Sequence, residues 1–161
     1  MNYDIQNSII GPILAGADHK GLRHIGFQKG ARPMEVPGTW KLDKQFLKPI
    51  FDQVHAYLNG ELKNFDLILA PAGSPFQKMV WSALLNIPYG KTVSYGDIAT
   101  AIGSPKSCRA VGGANSKNPI PLIIPCHRVI GADGRLVGYG SGLFIKQKLL
   151  SLELEYHHTN F

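Results

Sequence analysis

The chain has 161 residues, is 44% hydrophobic and 17% charged, and carries a formal charge of +6 at pH 7. That length and balance fit a globular protein with a real core, built as one domain or one domain with a small appendage. No apolar run approaches the roughly 20 residues that span a bilayer, and the start Met1-Asn2-Tyr3-Asp4 has no signal-peptide character, so the protein is expected in the cytoplasm.

Two apolar runs, Ile9 to Ala17 and Leu22 to Phe27, flank Asp18-His19-Lys20-Gly21 and predict a β-hairpin. Pro33, Pro37 and Gly38 mark a loop. From Leu42 the apolar residues Phe46, Leu47, Ile50, Phe51, Val54, Tyr57 and Leu58 follow one face of a helix that Asn59-Gly60 stops. Pro49 inside it predicts a kink or a late start. Phe65 to Leu69 reads as a short strand, and Pro71 to Pro75 as a linker.

The second half is denser. Phe76, Met79, Val80, Ala83, Leu84 and Ile87 predict a helix with Ser74 as cap and Pro75 at its first position. Ser94 to Ile102 predicts a short helix, and a second is expected from about Pro105 to Ser116. Two short helices across a glycine turn resemble a helix-turn-helix. The second carries Gly112 and Gly113, each costing about 1 kcal/mol relative to alanine. That cost implies close approach of backbone to a neighbouring helix or to a nucleic-acid groove. The helix offers almost no side chain suited to base edges, so any DNA binding should show little sequence preference. After Asp133-Gly134 comes a glycine-rich segment, Val137 to Gly142, then a last helix from about Leu143 to Leu154. Residues 156–161 read as a frayed tail.

Charge divides unevenly: residues 1–74 carry 8 Lys/Arg against 7 Asp/Glu, and residues 75–161 carry 9 against 4. The basic excess in the second half suits a polyanion. Two cysteines make no disulfide framework. With no C-x-x-C, and Cys108 and Cys126 18 positions apart, no metal site is expected.

The chemistry concentrates in Ile123-Ile124-Pro125-Cys126-His127-Arg128-Val129-Ile130. Three reactive side chains interrupt an apolar, strand-like run. Cys126 reads as a nucleophile at the bottom of a pocket. A thiol reacts as thiolate and needs a base or a positive partner. His127 is the candidate by type, but in a regular strand it would point to the opposite face. Contact with Cys126 then requires a turn at Pro125 or a bridging water. Glu153 is a candidate to orient the imidazole.

Pro125-Cys126-His127-Arg128-Val129 resembles the active-site motif of the O6-alkylguanine-DNA alkyltransferases. Supporting residues fall in the family's order over about residues 74–153: Phe76-Gln77, Val80-Trp81, Pro88 and Gly90, Ser94-Tyr95, Arg109-Ala110-Val111-Gly112, Asn118-Pro119, Gly138-Tyr139 and Gly142-Leu143. The resemblance implies an α/β (α+β) fold. A small N-terminal antiparallel-sheet domain, ribonuclease H-like, would occupy residues 1–73. A mainly helical, winged helix-turn-helix-like domain would occupy 74–161. It also implies direct repair of DNA without a cofactor, by a single irreversible transfer of an alkyl group from O6-alkylguanine to Cys126. O4-alkylthymine stays open as a second substrate. The partner would be double-stranded DNA, held at the minor groove by a monomer, with the damaged base flipped into the pocket.

By the same resemblance, His127 removes the thiol proton through a water with Glu153 behind it, and Asn118 braces the turn. Arg109, beside Ala110, is the finger that fills the stack, and Tyr95 meets the flipped nucleotide. Cys126 and Val129, with the loop Gly138 to Gly142, line the guanine pocket; Arg128, Tyr139, Gly140 and Ser141 count among the substrate-facing residues. The chain departs from the family's usual Gly-Gly at Ser141-Gly142, which predicts less room for bulky alkyl groups. Cys108 stands where a small residue such as alanine is usual. A lesion binder that does not react and a cysteine hydrolase are the competing readings; Cys126 argues against the first, and the helix-turn-helix against the second.

Overall fold

The computed structural model describes residues 1–136 and 139–158. Four strands open the chain: β1 (Asn2–Gln6), β2 (Ile13–Asp18), β3 (Gly21–Phe27) and β4 (Lys41–Leu42). They form one sheet in the order β3-β2-β1-β4. β2 and β3 make the expected hairpin, and β1 pairs antiparallel with β2. The sheet is not wholly antiparallel as the sequence suggested, because β4 joins β1 in parallel through two residues, Lys41 and Leu42. β2 is buried along nearly its whole length, so it forms the centre of this half of the core. The segment Phe65 to Leu69 forms no strand and pairs with the sheet through an isolated bridge between Leu69 and Leu22.

α1 (Lys44–Leu58) follows. The Asp43 carboxylate caps it by accepting from the Phe46 amide, which satisfies one of the free donors of a helix start. Pro49 does not delay it: the helix starts five residues earlier. Its buried face, Leu47, Ile50, Phe51, Val54, Tyr57 and Leu58, packs on β1 and β2.

The second half contains α2 (Pro75–Leu84), β5 (Val93–Ser94), α3 (Tyr95–Ala101), α4 (Cys108–Ser116), β6 (Val129–Ile130) and α5 (Leu143–Tyr156). Capping boxes start α2 and α3: Ser74 pairs with Gln77, and Ser94 with Asp97. α4 begins three residues later than expected. Residues 104–107 form a separate turn, closed by the Ser107 amide on the Ser104 carbonyl, so Pro105 precedes the helix. α4 packs on α2 and α3, and the Trp81 indole of α2 donates to the Ala114 carbonyl at 2.9 Å. β5 and β6 pair in parallel, Val93 with Val129 and Ser94 with Ile130. That ladder ties the start of α3 to the segment just after Cys126. The buried apolar residues of both halves form a single cluster. Among the described residues no helix is long and apolar enough to cross a membrane.

Candidate active site

The run around Cys126 is buried without a break from Ile120 to Val129, yet most of it is not a strand. Cys126 to Arg128 form one 3-10 turn, and only Val129 and Ile130 are extended. Three features aim it. The Asn118 side chain donates to the Ile124 carbonyl at 2.8 Å and accepts from the Ile120 amide at 2.9 Å, so both ends of one amide hold the loop before the cysteine. Leu122 sits buried at φ +78°, a left-handed conformation that costs a branched residue energy. The Cys126 amide then bonds back to the Ile124 carbonyl at 2.7 Å.

Behind the turn, charge is gathered on Glu153 of α5. His127 Nε2 lies 2.6 Å from Oε2, and the Tyr57 hydroxyl donates to the same oxygen at 2.5 Å. Arg128 donates to both oxygens, from Nε at 2.8 Å and from Nη2 at 3.0 Å. The Gly90 amide completes the set at 3.1 Å from Oε1. Burial would raise this carboxyl, but the hydrogen bonds from His127 and Arg128 and the charge of Arg128 outweigh it and hold it well below the usual carboxylate range. An ionised carboxylate only accepts, so His127 Nε2 carries the proton. Burial lowers the imidazole below its ordinary value despite Glu153. The ring is therefore neutral, and its Nδ1 keeps a lone pair. Nδ1 is buried and has no hydrogen-bond partner among the described residues.

Cys126 is 3% exposed. Burial pushes its thiol up to about 11, and the nearby Asn118 and Tyr139 side chains and the Lys146 ammonium offset only part of that. On the order of one thiol in ten thousand is then ionised at pH 7, so the thiol needs proton removal during reaction. Lys146 of α5 is fully buried and donates to the Val129 carbonyl at 2.5 Å. Burial draws its ammonium down to about 8, which leaves it mostly charged at neutral pH. The Tyr139 hydroxyl faces the sulfur without hydrogen-bond geometry to it. Tyr95 is half-buried, and burial and the nearby Cys126 both raise its phenol.

A pocket opens onto Cys126, walled by Asn115, Asn118, Tyr139, Gly140 and Ser141 on one side and by His24, Phe27, Arg32 and Met34 from the sheet half on the other. The two walls are pinned together where the Ala31 amide donates to the Ser141 carbonyl at 3.0 Å. Gly140 passes so near α4 that an added Cβ would stand 2.7 Å from the Ser116 carbonyl oxygen. No side chain fits there.

Beside the pocket, α4 exposes Cys108, Arg109, Ala110 and Gly113. Neither glycine is required by packing within the chain. A Cβ on Gly113 would meet nothing within 4 Å, and one on Gly112 would reach only ordinary contact with the Tyr95 ring at 3.9 Å.

The structure places Cys126, Asn118, Tyr139, Gly140 and Ser141 on one pocket, His127 and Glu153 buried behind the cysteine turn, Tyr95 close to Cys126 and Arg109 and Ala110 on the exposed face of α4; Val129 is fully buried and does not line the pocket. Arg128 needs correction. Its guanidinium is not turned to a ligand but is spent on Glu153 and, through Nη1, on the Ile87 carbonyl at 2.7 Å. Gly138, and the tail residues Thr159 to Phe161, lie outside the described residues. Sequence reasoning missed Tyr57, Asn115, Lys146 and the sheet-side wall. Nothing in the local sequence marks them, apart from Lys146, which falls two turns before Glu153 on the same helix. Among the described residues no group of three or more His, Cys, Asp or Glu is placed to hold a metal ion.

Comparison with known proteins agrees across the chain. A family profile described as the DNA-binding domain of 6-O-methylguanine DNA methyltransferase matches residues 75–155, and one described as its ribonuclease-like domain matches residues 1–71. The chain is 55% identical over 153 residues to the methylated-DNA–protein-cysteine methyltransferase of Methanosarcina acetivorans, covering 95% of this chain and 98% of that protein. It is 58% identical over 154 residues to the Mycobacterium leprae protein of the same name, covering 95% and 91%. Its fold superposes on the crystal structure of Mycobacterium tuberculosis OGT in complex with DNA with a TM-score of 0.90 at 44% identity, covering 97% of this chain and 94% of that one. Its sequence, fold and buried cysteine turn place this chain in the 6-O-methylguanine DNA methyltransferase family.

Proposed function

We propose that this protein repairs DNA by moving an alkyl group from O6 of guanine to Sγ of Cys126, once per molecule. The observation that carries this reading is the Cys126 thiol, buried at the end of a pocket beside a bare helix, with a neutral imidazole next to it in sequence. In the transfer a sulfur–carbon bond forms as the carbon–oxygen bond breaks. The thiol proton passes through a water to His127 Nδ1, whose tautomer Glu153 sets. Tyr95, whose phenol burial and the nearby Cys126 both raise, is the group assigned to hand a proton to the departing purine. The thioether has no easy route back, so the reaction ends there.

Docking falls to α4. Its exposed glycine backbone suits close approach to the minor groove of duplex DNA, and Arg109 is the side chain available to enter the stack. Contacts of this kind favour damaged bases in any sequence. Residues 1–73 act as one domain that supplies the outer pocket wall, and residues 74–161 as the domain that docks and reacts. The protein works as a cytoplasmic monomer, and Ser141 at the rim favours methyl over bulkier groups.

The test is an intact-mass measurement after incubation with a duplex containing O6-methylguanine. The expected result is one methyl in place of hydrogen on Cys126, with no second turnover. Repeated turnover, or tight binding with unchanged mass, would overturn the reading.

A further inference from the structure

Among the hydrogen bonds to Glu153 from the described residues, that of Tyr57 is the one from the sheet half. Tyr57 lies in the last turn of α1, fully buried, and donates to Glu153 Oε2 across 96 positions of sequence. That oxygen is also the acceptor for His127 Nε2. The ring is wedged between Phe65, with centroids 5.3 Å apart, and the edge of Tyr89 at 6.0 Å, so the hydroxyl is held in place. Burial, then the charge of Glu153, pushes the phenol well above its ordinary value, so it remains a donor.

We propose that Tyr57 is a positioning residue for the proton relay: by sharing Glu153 Oε2 with His127, it holds the imidazole in its neutral, Nε2–H form. Oε2 accepts from three donors, Tyr57, His127 and Arg128 Nη2. Each hydrogen bond from Tyr57 or Arg128 draws charge from the oxygen and weakens its pull on the imidazole. The other groups facing this centre are Arg128 on the turn, Lys146 on α5, and Tyr89 and the Gly90 amide after α2, with the Lys63 ammonium over the Tyr89 ring. Through Tyr57, residues 1–73 take part in setting the base as well as in walling the pocket.

The proposal rests on the alkyl-transfer reading. Tyr57→Phe keeps the ring and removes only the hydroxyl. Losing that donor makes Glu153 more basic and strengthens its hold on an imidazolium. His127 then stays charged to higher pH, where it accepts no proton. The measurement is the single-turnover rate of methyl transfer from an O6-methylguanine duplex across pH, with DNA affinity alongside. The expected result is a rate about tenfold lower at neutral pH, a modest share of what a general base supplies, with the acid limb moved to higher pH and unchanged DNA affinity. A profile that keeps its midpoint, whether the rate is unaltered or lowered equally at every pH, overturns the proposal. Imidazole nitrogen NMR on the wild-type protein gives a second measurement that needs no variant. His127 is expected as neutral Nε2–H at neutral pH, and an imidazolium or an Nδ1–H tautomer overturns the proposal. Wild-type protein that transfers no methyl group would instead sink the alkyl-transfer reading itself.

Discussion

The two sides of Cys126 are built on opposite terms. Behind it, one carboxylate accepts from Tyr57, Gly90, His127 and twice from Arg128. In front of it, α4 presents Arg109 with no hydrogen bond or ion pair among the described residues, and two glycines, of which Gly113 has open space around it and Gly112 only the Tyr95 ring nearby. The buried side is over-determined and pre-set, as chemistry in a low-dielectric site requires. The exposed side is left incomplete by the protein itself, and in the proposed function duplex DNA completes it. Variants on the buried side should therefore fail with any substrate. Those on the exposed side should fail only when the substrate is duplex.

The sharpest tests of that contrast come first. Cys126→Ala should abolish transfer while leaving duplex affinity largely intact; loss of affinity in a binding titration would place the cysteine in docking as well. Glu153→Gln should cost about 3–5 kcal/mol of stability, because it leaves the Arg128 charge buried and uncompensated. Chemical unfolding would measure this, and a neutral result would show the ion pair to be dispensable. The same site predicts acid sensitivity. Glu153 and His127 are both held below their unfolded values. Their contribution to stability is full above about pH 6.5, where an unfolded histidine has lost its proton, and declines as pH falls through the lowered folded values. A melting temperature that rises on acidification would contradict this.

The exposed side should give smaller, selective effects. Arg109→Ala is expected to slow repair in duplex DNA yet react near-normally with free O6-benzylguanine, to the extent the pocket admits it; equal loss in both assays would break the contrast. Gly113→Ala is the finest probe. It should stabilise the fold by about 0.5–1 kcal/mol, the helical preference of alanine over glycine, and at the same time weaken duplex binding. Gains in both would mean that the helix does not approach the groove.

The two sides also differed in how far the sequence revealed them. The reactive turn was legible because three polar side chains interrupt an apolar run, and Ser74, Ser94 and the helical spacing marked α2 and α3. α1 was legible from its apolar face, although Pro49 suggested a later start than the Asp43 cap permits. What escaped depends on distance along the chain. Tyr57 looks like any core aromatic until α5 brings Glu153 against it. Lys146 reads as a solvated helix charge, yet folding buries it completely. Arg128 was misjudged for the converse reason: a charged residue beside a nucleophile suggests a ligand contact, but its partner is a carboxylate 25 positions away. β1 and β4 carry no strong alternation, and pair only because the hairpin offers an edge.

The clasp between Ala31 and Ser141 has a consequence for descent. A pocket closed by residues from both ends of the chain cannot be inherited in halves. The reacting half, transplanted alone into another gene, would carry the cysteine and the docking helix but neither the far wall nor the hydroxyl of Tyr57. Lineages that keep the chemistry must keep the two halves in one reading frame or preserve their contact by another route. Those that shed the first half would keep α4 and the cysteine turn and lose the far wall of the pocket.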